Sequence, residues 1–133
     1  MTRARLVIVR AAIVLATLAL STQLTHAEEL SGNPARGRQV FAACRTCHYP
    51  ERGYGHHNGP SLFAIFGRTA GTQPGFAYYS AWLKSAGFQW TPETLDAWLK
   101  NPGMFPDSSM IFVGIPDDQA RADLIAYLVQ FHE

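Results

Sequence analysis

Cys44, Arg45, Thr46, Cys47 and His48 place two thiols three residues apart, with an imidazole directly after the second. On a helical turn, positions i and i+3 face one way. Both thiols then reach toward the two vinyl groups on one side of a porphyrin. His48 follows at once, so its ring can swing beneath that plane and put a nitrogen on iron. C-x-x-C-H is the spacing of covalent haem attachment. Two cysteines alone also suit a redox dithiol, a structural disulfide or half of a zinc site. The 133 residues hold no other cysteine, which excludes a four-cysteine zinc site. A thioredoxin-like dithiol wants a βαβ context, and no convincing alternating strand is present.

The elements that must position this pentapeptide read as helices. Asn33-Pro34 is an N-cap with proline at the first helical position, and the helix it opens is expected to run through Val40 and Phe41 to the cysteines. Thr91-Pro92-Glu93 repeats the start signal. Leu95, Trp98 and Leu99 then fall at i, i+3 and i+4, until Asn101-Pro102 stops the helix. Pro116-Asp117-Asp118 opens a last helix with Leu124, Tyr127, Leu128 and Phe131 on one face and two acids near its N-terminus. A shorter helix spans Ser80 to Ala86 and ends at Gly87. A further turn is expected over Ser61 to Phe66. Gly/Pro-rich loops at 50–60, 67–75 and 101–116 join these pieces. Eight Phe, three Trp and five Tyr are a generous supply for walling in a flat ring.

Residues 1–27 read as a secretory leader. Arg3, Arg5 and Arg10 form a basic n-region, Ala11 to Leu20 an apolar run, and Thr25-His26-Ala27 a cleavage site with small residues at the positions that matter. The alternative is an uncleaved anchor, though the apolar run after Arg10 is short for a membrane span. Either way residues 28–133 form a single exported domain, with the bacterial periplasm as the expected compartment. Three of the eleven basic residues lie in the leader. Residues 28–133 therefore carry eight basic and ten acidic side chains, a formal −2. That balance excludes a nucleic-acid partner, which calls for clustered Lys and Arg.

In order along 32–132, the segments CRTCH (44–48), Gly59-Pro60, FGRTAGTQPGF (66–76), WTPETL (90–95), MIFVGI (110–115) and RADLIAYL (121–128) resemble class I c-type cytochromes. The likeness is to the mitochondrial cytochrome c and bacterial cytochrome c2 branch. It implies a small all-α fold of about four to five helices, with long loops wrapped around one covalent haem. It implies one haem c on Cys44 and Cys47, with His48 as proximal iron ligand. Pro60 would accept the other ring N–H of His48, which fixes the ring and makes it a better donor. Met110 would be the sixth ligand, and a Met/His pair raises the reduction potential. Met1 leaves with the leader and Met104 is the rival. Arg68 would compensate a buried propionate, and the Trp90 indole, a donor only, would bond one. A tyrosine should join them. Counting forward from Phe76 picks Tyr78; counting back from Trp90 picks Tyr79. Gly37 and Phe41 match first-helix positions that cross the last helix near Leu124 and Tyr127.

The chain departs from the family before Met110. The usual P-G-T-K-M is here Pro106-Asp107-Ser108-Ser109-Met110, so a lysine is lost and an acid gained. The lysine ring that steers acidic redox partners in relatives is mostly absent, since only Lys84 and Lys100 remain. His56 and His57 are expected to face solvent. The resemblance implies an exported, monomeric, non-enzymatic carrier that shuttles one electron between redox protein partners, meeting a membrane only through a partner or an uncleaved leader. The alternatives are a cytochrome subunit dedicated to one dehydrogenase or oxidase, or a haem enzyme or gas sensor if the Met110 ligand is labile.

Overall fold

Helices form where a side-chain cap and an apolar spacing coincide. In the computed structural model, which describes residues 31–132, helix α1 spans Pro34–Phe41. Its Asn33 side chain accepts from the backbone N–H of Ala35 at 2.9 Å and of Arg36 at 3.2 Å, filling donors that the first turn leaves open. Helix α2, Ala81–Ser85, is capped by Ser80, whose hydroxyl accepts from Leu83 N–H. Gly87 at φ +69° turns the chain away beyond it. Helix α3, Pro92–Lys100, opens on a reciprocal box in which Thr91 and Thr94 each accept from the other's backbone N–H. Helix α4, Asp118–Val129, is capped by Asp117. The leader, residues 1–27, lies outside the described residues.

Two expectations are refined. α1 ends at Phe41, and the cysteines sit on a separate 3₁₀ turn, Cys44–Thr46. The turn expected over 61–66 is present as two tight turns, at 63–64 and 66–67, with Ala64 in the left-handed region at φ +49°. Among the described residues, the one β-like pairing is an antiparallel bridge between Thr69 and Gln89. Flanking bonds extend it: Ala70 N–H donates to Phe88 O at 2.8 Å, and Trp90 N–H to Arg68 O at 2.9 Å. This pairing brings the Arg68 and Trp90 segments side by side.

α1 crosses α4 in close contact because Gly37 has no side chain. A Cβ built there would lie 1.9 Å from the Asp123 carbonyl oxygen, far inside any tolerated approach. Phe41 packs its ring 5.4 Å from Tyr127. Asp123, buried on α4, ties the crossing: its carboxylate accepts from Asn33 N–H at 2.6 Å, from Arg36 Nε and Nη2 at 2.6 and 2.8 Å, and from Gln119 Nε2 at 2.9 Å. On the other side of the core, Phe88, Trp90, Trp98, Phe105 and Trp82 close a ring of neighbours, with centroid separations between 4.5 and 6.4 Å. Tilted and edge-on pairs of this kind add to the area they bury. They brace α2, α3 and the segment after α3 around a central space.

Candidate functional site

That space is a cavity of about 510 Å³, a size typical of cofactor sites. Cys44, Cys47, His48, Pro60, Arg68, Tyr78, Tyr79, Trp90 and Met110 all border it, so every candidate from the sequence meets at one place. The 3₁₀ turn presents both thiols. Cys44 O accepts from Cys47 N–H at 3.0 Å and from His48 N–H at 2.9 Å, so thiols and imidazole leave one tight turn. Neither cysteine is in a disulfide. Burial pushes the Cys44 thiol up, and its neighbour Cys47 adds to this.

His48 is buried, with Nδ1 2.8 Å from Pro60 O. A carbonyl only accepts, so Nδ1 carries the proton and Nε2 keeps its lone pair. Burial pulls the imidazole below its ordinary pKa, against the opposing pull of the Pro60 bond. Gly59 backs the ring so closely that a Cβ there would sit 2.3 Å from His48 Cε1. The requirement for glycine before Pro60 is therefore steric.

Met110 borders the cavity while Met104, 70% exposed, does not. The polar side chains gather around the 67–80 loop. Arg68 donates from Nη2 to Phe63 O at 3.0 Å, and among the described residues it meets no carboxylate. Tyr79 is half-buried; burial pushes its phenol up, while a hydrogen bond with the Gln73 backbone and the Arg68 charge pull it down. Tyr78 is 80% exposed at the rim. The structure adds Gln73, whose buried side-chain oxygen has no partner among the described residues. Rotating the amide would offer its N–H₂ group instead, a donor for a carboxylate. A glutamine in a polar loop carries no sequence signal for this role.

His56 corrects the sequence reading. It is half-buried rather than turned to solvent: Nδ1 accepts from Ser61 N–H at 3.0 Å and Nε2–H donates to Pro74 O at 2.9 Å. It thereby bridges the loop after His48 to the loop that carries Gln73. His57 is exposed, as expected.

The cytochrome c family model matches residues 34–131. The chain belongs to the cytochrome c family. It is 45% identical to cytochrome c of Chlamydomonas reinhardtii over 108 residues, covering 80% of this chain and 96% of that one. It is 40% identical to cytochrome c2 of Rhodomicrobium vannielii over 103 residues, covering 77% and 82%. The solved structure of cytochrome c2 from Rhodospirillum centenum superposes with a TM-score of 0.71 at 38% identity, covering 77% of this chain and all of that one. The fold is the small all-α cytochrome c fold, and the protein is an electron-transfer protein carrying covalent haem c.

The residues fit that group. Two free thiols and a neutral imidazole leave one turn at the wall of a cavity lined mainly by Phe41, Leu62, Ile65, Trp98, Leu124 and other apolar side chains. Arg68, which pairs with no acid among the described residues, supplies a cation near the polar loop. Among the described residues, no group of three His, Cys, Asp or Glu side chains could hold a metal ion by itself. A zinc site built on Cys44 and Cys47 therefore has no further ligands there.

Proposed function

We propose that the chain is an exported one-electron carrier in which His48 and Met110 are the two axial ligands. The haem supplies an iron that cycles between ferric and ferrous. The supporting observation is that His48, its Nδ1–H held on Pro60 O at 2.8 Å, and Met110 border the same apolar cavity. The Pro60 bond orients the ring and raises the donor strength of Nε2. The Met110 thioether is soft and neutral and favours the ferrous state. The apolar wall would exclude water, and Arg68, Tyr79, Trp90 and Gln73 would hold the propionates, with Tyr79 the better placed of the two tyrosines because it is half-buried. His48 and Met110 would together hold the iron and leave no place for a substrate, which separates this reading from a haem enzyme or gas sensor.

Partner choice follows from the segment 104–113. It exposes Met104, Ile111 and Val113 and carries one charge, Asp107. We read this as an apolar docking face for a redox protein that is not strongly acidic. Export is proposed from the leader alone; among the described residues no helix is long and apolar enough to cross a membrane. Met110→Ala tests the ligand assignment. It should lower the potential and let the ferrous protein bind carbon monoxide, while Met104→Ala changes neither. An unaltered spectrum in Met110→Ala with a disrupted one in Met104→Ala would reverse the assignment. Mass spectrometry of the exported fraction should find Glu28 at the N-terminus.

A further inference from the structure

The segment that carries Met110 has little to hold it. Among the described residues, a single backbone hydrogen bond ties 106–116 to the rest of the chain, from Ile115 N–H to Leu99 O at 2.7 Å. Met110, Phe112 and Ile115 pack against the core, and the remaining hydrogen bonds from the body of the fold to this stretch come from one side chain. Arg121 on α4 is 2% exposed. Its Nη1 donates to Ile115 O at 2.8 Å and to Pro116 O at 3.0 Å. Its Nε donates to Asp96 Oδ1 of α3 at 2.7 Å, and its Nη2 donates to Asp118 Oδ1 and, more distantly, to Asp96 Oδ2 at 3.5 Å. All five guanidinium N–H groups are used, and two carboxylates balance the buried charge. An ammonium has three donors and no planar fork, so lysine cannot reproduce the pattern.

We propose that Arg121 is a positioning residue for the sixth iron ligand. It fastens the C-terminal stem of the Met110 segment to α3 and α4 at once. The segment then swings away from the cavity only when the stem is released, and the clamp sets how often Met110 leaves its place. This rests on the reading of Met110 as a ligand. Asp123 provides a contrast on the same helix: its carboxylate bonds Asn33 and Arg36 at the start of α1 and Gln119 on α4, and so ties α4 to α1.

The test is stopped-flow binding of imidazole to the ferric holoprotein, which requires the sixth position to open. Arg121→Gln should accelerate binding by about tenfold, the scale of one lost charge-assisted hydrogen bond. Arg121→Lys should restore part of the difference. Arg36→Gln, which loosens the α1–α4 tie, should leave the rate unchanged at a comparable loss of urea stability. If Arg121→Gln fails to accumulate, Asp96→Asn removes one leg of the clamp and should accelerate binding by a smaller factor. Equal acceleration in Arg36→Gln, or none in either clamp variant, would overturn the proposal. Met110→Ala separates the two readings. It should bind imidazole rapidly with or without Arg121→Gln; slow binding in Met110→Ala would instead remove Met110 as the ligand.

Discussion

Replacing Asp123 by asparagine should cost about 2 kcal/mol at neutral pH, and that cost should disappear in acid. The Asp123 carboxylate is held at about 2, below its ordinary 3.8, first by the Arg36 hydrogen bonds and then by the Asn33 N–H and Gln119 side chain, with burial opposing them. The gap from 3.8 to about 2, at about 1.36 kcal/mol per pH unit, is about 2 kcal/mol. The folded-state value is depressed, so this stability is fully present above 3.8 and is lost as pH falls through about 2. Asparagine keeps the shape but turns one acceptor into a donor that faces Arg36. Arg36 is half exposed, which limits the loss through screening. Urea unfolding of the holoprotein, followed by far-UV circular dichroism from about pH 7 to about pH 2.5, gives the difference between the two proteins. Arg36→Gln should show the same pH profile, and the double variant should lose less than the sum. A neutral-pH difference below about 0.5 kcal/mol, or one that persists undiminished in acid, would refute the reasoning.

Asp107, at φ +56°, occupies the position of the glycine in the family's P-G-T-K-M pattern. Aspartate tolerates the left-handed region and β-branched residues do not, so Asp107→Val should lower urea stability by about 1–2 kcal/mol, whereas Asp107→Gly should be nearly neutral; an unmoved midpoint in Asp107→Val would mean the segment has another backbone path. Electron transfer to the natural partner should fall only gently across a salt series, because the 104–113 segment offers apolar contact and no lysine. A steep fall, of the size that strongly opposed charges produce, would sink the apolar docking face.

What the sequence made legible were features whose cause is local. Asn33 and Thr91 cap the helices they were expected to cap, and the last helix opens where Pro116-Asp117-Asp118 announced it, because a helix start is decided within three residues. Leu95, Trp98 and Leu99 are buried together because helical spacing alone puts them on one face. The Cys44–His48 stretch stands out by its spacing and Met110 by the residues that follow it, and both border the cavity. What stayed hidden depends on partners far along the chain. His56 lies in a Gly-rich loop that suggests solvent, yet Pro74 O, 18 residues on, supplies its second bond. Arg121 reads as one scattered cation among eight, until the fold brings Asp96 and the Ile115 and Pro116 carbonyls around it. Counting forward from Phe76 and back from Trp90 left Tyr78 and Tyr79 equivalent. Burial distinguishes them, and burial is a property of the packed chain.

The central claim is a covalent haem whose sixth position is filled by Met110. The most direct measurement is the absorption spectrum of the purified, unaltered ferrous protein, recorded with and without carbon monoxide, on material whose intact mass equals residues 28–133 plus one haem. The expected result is a six-coordinate, low-spin spectrum that carbon monoxide leaves unchanged. A spectrum that shifts promptly on adding the gas would contradict it, because the sixth position would then be open and the protein built to bind a ligand rather than to pass an electron.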